Sequence, residues 1–204
     1  MKKALIILHQ KRSIPGDIGK KLIKRGYELD IKRPCIGCKL PNKLDDYSLV
    51  VILGGPISVN DNMDYINYEI EWIDVVLKSE KPFLGICLGA QILTKYLGYK
   101  VEKNSSHLSE IGFFSVSPTK EGEELFKNQK YFYQFHDEGF ELPAGSKLLA
   151  KGERFKNQAF KYKNCYAFQF HPEVNFYLHL RWLYFVFLKN PKKLFVKGAQ
   201  NIFY

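Results

Sequence analysis

The sequence predicts an α/β domain with a mostly parallel central sheet and helices on both faces, and three observations carry that expectation. Short apolar runs alternate with helical patterns through the first half of the chain. The runs are continuously apolar, as in Val50-Val51-Ile52-Leu53, which suits strands buried on both faces. Reactive residues stand directly after two such runs, where open parallel sheets gather their functional groups.

Each element follows from its local pattern. Ala4 to Leu8 is a buried strand, closed by the polar His9-Gln10-Lys11-Arg12. Gly16 to Arg25 reads as a helix, Glu28 to Lys32 as a second strand and Leu49 to Leu53 as a third. Tyr65, Ile66, Ile70, Ile73 and Leu77 keep the three-to-four spacing of an amphipathic helix. Phe83 to Ile86 is the next strand, and Ala90 to Leu97 the helix after it. The second half reads as strands at Ile111 to Val116, Tyr131 to Phe135, Lys147 to Ala150, Gln158 to Tyr162 and Tyr166 to Phe170, with Gly, Pro and Asn turns between them. Val174 to Leu188 closes the domain as a helix whose aromatic residues, Phe176, Tyr177, Trp182, Tyr184, Phe185 and Phe187, are expected to form its packing face. One domain is expected over residues 1–190, followed by a tail at 191–204 with no assigned structure.

Composition narrows the classes of function. Aromatic residues at 15% and charged residues at 25% describe a packed globular chain rather than a disordered one. The net charge of +10 comes mostly from Lys scattered between Lys2 and Lys197. It forms no basic stripe with interleaved aromatics, so no nucleic-acid partner is expected. Only the run from Lys189 to Lys197 leaves a basic partner surface open. No stretch approaches the roughly 20 apolar residues of a membrane span, and the apolar run after Met1-Lys-Lys is too short for a signal peptide. A cytoplasmic protein with reduced thiols is therefore expected. Cys35-Ile-Gly-Cys38 lacks a second pair of ligands for zinc, so no metal and no cofactor are expected. His9, His107 and His179 are read as surface or helix-face residues.

Three segments carry chemistry. Gly85-Ile-Cys87-Leu-Gly89 follows an apolar strand and precedes a helical pattern, the setting of a nucleophile elbow. Such a turn strains the backbone at its apex and sets the sulfur over a helix N-terminus, whose partial positive charge favours a thiolate. Phe170-His171-Pro172-Glu173 ends another strand. In extended chain His171 and Glu173 project to the same side, so a base and the carboxylate that orients it sit together. Gly54-Gly55-Pro56 ends a third strand, and its bare backbone suits stabilisation of an oxyanion. Gly55 N–H and Leu88 N–H are the expected donors.

Together these segments resemble the class I glutamine amidotransferases. Further likeness lies in Pro15-Gly16-Asp-Ile-Gly19, Arg33-Pro34, Leu53-Gly-Gly-Pro56, Glu71-Trp72-Ile73, Gly85-Ile-Cys-Leu-Gly-Ala-Gln91, Glu110-Ile-Gly112 and Asn157-Gln-Ala-Phe160. These are similar to stand-alone members akin to the amidotransferase part of GMP synthase, over roughly residues 3 to 185. The resemblance implies a flavodoxin-like fold and a Cys87, His171, Glu173 triad. It implies attack on the γ-carboxamide of glutamine, release of ammonia and hydrolysis of a γ-glutamyl thioester. Gly54, Gln91 and His136 are then the expected substrate-binding residues. Relatives often carry His-Gly-Asp where this chain has His136-Asp137-Glu138-Gly139, and the ATP-pyrophosphatase domain of a complete GMP synthase has no counterpart here. Either the ammonia goes to a separate synthase subunit or the enzyme hydrolyses a γ-glutamyl conjugate, with Asp137 and Glu138 as an acidic pair near the leaving group. A non-catalytic subunit that merely keeps the fold is a third reading, and the intact triad argues against it.

Overall fold

A computed structural model describes residues 2–189. Seven elements alternate through the first half: β1 (Lys2–Ile7), α1 (Gly16–Lys24), β2 (Tyr27–Lys32), β3 (Leu49–Ile52), α2 (Asp64–Ser79), β4 (Phe83–Ile86) and α3 (Leu88–Tyr96). The second half adds β5 (Val101–Lys103), β6 (Glu110–Ser115), β7 (Ser117–Pro118), α4 (Glu123–Phe126), β8 (Tyr131–His136), β9 (Glu138–Phe140), β10 (Lys147–Lys151), β11 (Asn157–Tyr162), β12 (Cys165–Phe168) and α5 (Phe176–Lys189). The expected tail at 191–204 lies outside the described residues.

The central sheet runs β2-β1-β3-β4-β12-β11-β10-β7. Its first five strands are mutually parallel, in the doubly wound order in which ligands bind at the β1/β3 reversal. The last three strands pair antiparallel, and β5 with β9 and β6 with β8 form two small antiparallel ribbons. The continuous apolar strands are explained by burial on both sides. Leu5, Ile7, Val50 and Ile52 pack with Ile66, Ile73 and Ile92 of α2 and α3, whereas Ala4, Ile6 and Val51 face the opposite cluster, which includes Ile18 and Leu22 of α1. Each fully buried Leu, Ile or Val side chain among them contributes roughly 1.5–3 kcal/mol. Trp72 adds a donor to its packing by hydrogen-bonding the Pro41 carbonyl at 2.8 Å.

Two expectations need correction. The aromatic run of α5 is not one packing face: Trp182 packs against Tyr133 and His171, but Phe176, Tyr177 and Tyr184 are exposed. His9 is not at the surface but almost completely buried. No helix among the described residues is long and apolar enough to cross a membrane.

Candidate active site

The carboxyl ends of β1, β3, β4 and β12 converge on one edge of the sheet and carry His9, Gly54-Gly55, Cys87 and His171. At the end of β4 the chain turns into α3 at Cys87, whose backbone stands at φ 49° and ψ −106°. That conformation is strained for any residue with a Cβ. The flanking glycines are required by close approach. A Cβ on Gly85 would meet the Gly89 carbonyl oxygen at 2.6 Å, and one on Gly89 would meet the Ile52 carbonyl oxygen at 2.2 Å. Donation from Cys87 N–H to the Phe168 carbonyl at 2.7 Å ties the turn to β12.

His171 stands just beyond β12, fixed by its own N–H donating to the Tyr133 carbonyl at 2.8 Å. Its Nδ1 is 2.8 Å from Glu173 Oε1, and the Trp182 ring meets the imidazole edge-on at 5.0 Å. The three side chains Cys87, His171 and Glu173 are each no more than 5% exposed. Burial by itself would lower the His171 pKa. The Glu173 carboxylate, with the neighbouring Cys87 sulfur, outweighs it and raises the imidazole from 6.5 to about 10. Glu173 is anchored in turn, its carbonyl accepting from Asp17 N–H at 2.9 Å at the start of α1.

Gly54 lies against this pair. A Cβ there would stand 2.7 Å from His171 Cε1 and 3.4 Å from Cys87 Cβ. A Cβ on Gly55 would meet Leu88 Cδ2 at 2.8 Å, so the two expected oxyanion donors come from adjoining residues.

A cavity of about 300 Å³ is lined by Cys87, Gln91, His136, Gly55 and the 135–138 segment. A larger one of about 590 Å³ meets His171, Glu173, Gly54 and Arg181 but not the sulfur. Of the two, the smaller contains Cys87. Gln91 donates through Nε2 to the Glu138 carbonyl and Gln169 Oε1. His136 lines the cavity with both ring nitrogens engaged, Nδ1 by the Glu138 carbonyl at 2.9 Å and Nε2 by Gln134 Oε1 and Glu110 Oε2. Asp137 and Glu138, the expected acidic pair, both line the smaller cavity. The Glu138 carboxylate is taken by Ser58 Oγ at 2.6 Å and Asn60 Nδ2 at 3.1 Å, and Asp137 is exposed beside Lys103.

The remaining thiols lie elsewhere. Cys35 and Cys38 are free and half-buried in the turn after β2, and burial pushes the Cys165 thiol up to about 11. Sequence reasoning missed His9 and Glu69, a buried pair beside Gly54 whose ring and carboxylate lie 2.9 Å apart. The available signal was Glu69 itself, an acidic residue on the buried stripe of α2 between Ile66 and Ile73.

Residues 10–190 match the profile of the family described as Glutamine amidotransferase class-I. A protein of Sulfurisphaera tokodaii, named as one subunit of a glutamine-hydrolysing GMP synthase, is 35% identical over 136 residues, covering 64% of this chain and 70% of that protein. The glutamine-hydrolysing GMP synthase of Wigglesworthia glossinidia brevipalpis is 32% identical over 173 residues, which cover 78% of this chain but only 30% of that protein. Among solved structures, a glutamine amidotransferase from Thermotoga maritima superposes with a TM-score of 0.86 at 31% identity, covering 94% of this chain and 85% of that one.

Proposed function

This chain belongs to the class I glutamine amidotransferases, and from that premise we propose that it hydrolyses the γ-carboxamide of glutamine through a Cys87 thioester. The observation that carries the reading is the convergence of Cys87, which opens into the cavity of about 300 Å³, with the His171–Glu173 pair hydrogen-bonded at 2.8 Å, both lying against Gly54. A raised imidazole pKa means that His171 readily holds the thiol proton, leaving charge on the sulfur. Sulfur attacks the carbonyl carbon, and the displaced electron pair moves to oxygen, where Gly55 and Leu88 N–H stabilise it. Collapse of the adduct expels ammonia with the proton from His171. Water then gives a proton to His171 and attacks the thioester, releasing glutamate and the Cys87 sulfur. Glu173 orients the ring and stabilises its charge throughout. Gln91 holds the amino-acid end of the substrate through its carbonyl oxygen, Gly54 lets His171 and Cys87 approach, and His136 walls the cavity.

The ammonia passes to a separate synthase subunit. Support comes from the similarity to a protein named as one subunit of a GMP synthase. Isolated enzyme should accordingly turn over free glutamine slowly, and an added ATP-pyrophosphatase subunit should raise the rate severalfold. A panel comparing glutamine with γ-glutamyl amides and peptides tests this, by release of ammonia, amine or glutamate. A kcat/KM for free glutamine above about 10⁴ M⁻¹s⁻¹ without a partner would contradict the coupled reading. Preference for γ-glutamyl peptides would replace it with a γ-glutamyl hydrolase.

A further inference from the structure

At the β1/β3 reversal, a second buried histidine–carboxylate pair stands behind the Gly54-Gly55 turn. His9 Nε2 lies 2.9 Å from Glu69 Oε2, and neither side chain is exposed at all. The other ring nitrogen, Nδ1, lies 3.2 Å from the Gly54 carbonyl oxygen. A carbonyl oxygen only accepts, so this contact needs a proton on Nδ1. The pair supplies one in either of two net-neutral forms: an imidazolium facing a carboxylate, or a neutral ring accepting from a protonated carboxyl. Packing alone does not call for these residues. Glu69 occupies a fully buried position between Ile66 and Ile73, where an aliphatic side chain would avoid the cost of burying an acid.

What the pair holds is a single peptide unit. The Gly54 carbonyl and the Gly55 N–H are its two ends, and in a planar trans peptide they point in opposite directions. Drawing the carbonyl toward His9 therefore aims the N–H away from His9. Gly55 is seated between His9 and Leu88, since a Cβ on it would meet His9 Cβ and Leu88 Cδ2 at 2.8 Å each. Two consecutive glycines offer little conformational resistance to rotation of the peptide between them, so its orientation depends on an outside anchor.

We propose that His9 and Glu69 are positioning residues that lock the Gly54-Gly55 peptide so that Gly55 N–H faces the oxyanion. This rests on the oxyanion assignment above and names what builds that half of the hole. Neither residue touches substrate. Their effect falls on the transition state, where charge develops on oxygen, and little on ground-state binding.

The test is a pair of side-chain amides at position 9. In His9→Asn the amide nitrogen takes the place of Nδ1 and keeps the bond to Gly54; in His9→Gln it takes the place of Nε2 and loses it. With L-glutamine as probe, His9→Gln should lower kcat roughly 10- to 100-fold with little change in KM, somewhat less than outright deletion of an oxyanion donor. His9→Asn should recover most of that loss, and Glu69→Leu should resemble His9→Gln. Alkylation of Cys87 by iodoacetamide forms no oxyanion, so its rate should be the same in all these variants and the parent. Crystal structures of the two amide variants read the peptide directly: the Gly54 carbonyl should turn away in His9→Gln and stay in His9→Asn. Equal kcat in the two, or an unmoved peptide in His9→Gln, overturns the proposal. If instead the parent enzyme is not alkylated at Cys87 and releases no glutamate, the triad reading fails, while the peptide orientation still decides this one.

Discussion

Replacing Gly54 by alanine asks whether the triad depends on a backbone that no side chain interrupts. The new Cβ would stand 2.7 Å from His171 Cε1. Carbon atoms settle about 3.5–4.0 Å apart, so ring and turn must separate by roughly 0.8 Å or more. The ring has little room to yield. Glu173 holds it at 2.8 Å, Trp182 meets it edge-on at 5.0 Å, and it is 4% exposed. Overpacking of this kind costs about 1–3 kcal/mol, which for a chain of this size lowers Tm by roughly 2–4 °C per kcal/mol. Activity should suffer more, because misplacing a catalytic group by about 1 Å can cost 10²-fold. Glutamate release and thermal unfolding of Gly54→Ala, measured side by side, separate the two effects. Turnover within about threefold of the parent, well short of that 10²-fold loss, would refute the reasoning.

Other perturbations reach the remaining parts of the site. Cys87→Ser should abolish hydrolysis without unfolding the protein, because an alcohol is a far poorer nucleophile than a thiolate at this position; a tenth of parental turnover would argue against the triad. Cys87→Gly should be inactive yet more stable by about 1–3 kcal/mol in urea unfolding, since glycine relieves the strain at φ 49°. Glu173→Gln should reduce turnover less than His171→Asn, orientation being a smaller task than proton transfer, and equal or reversed losses would contradict this order. The His171 pKa is raised in the fold, so its contribution to stability is fully present below pH 6.5 and is lost as pH rises toward about 10. Thermal midpoints across that range should fall in the parent and fall less in Glu173→Gln, which lacks the carboxylate that raises the imidazole.

The parallel half of the fold was legible because its strands are continuous apolar runs ending in glycine or in reactive residues. The elbow at Cys87 was legible for the same reason: only glycines fit where β4 and α3 turn so tightly. The short strands β5 and β9 were not, since Val101–Lys103 and Glu138–Phe140 hold three residues each and owe their shape to pairing with one another. His9 escaped notice because it follows a strand within the polar stretch His9-Gln10-Lys11-Arg12, and the partner that buries it lies 60 residues away on α2. Asp137 and Glu138 do line the cavity with Cys87, but proximity to His136 says nothing of Ser58 and Asn60, which bond the Glu138 carboxylate from a distant loop. Likewise, helical spacing alone cannot say which aromatics of α5 meet the sheet. Trp182 does, against His171, while Phe176 and Tyr177 point to solvent.

Reaction with 6-diazo-5-oxo-L-norleucine, a glutamine-shaped electrophile, followed by peptide mapping, tests the central claim most directly. A nucleophile at Cys87 predicts one adduct, on Cys87, with glutamate release lost in proportion to labelling and protection by glutamine. Labelling at Cys35 or Cys38, or full activity after Cys87 is modified, would contradict it.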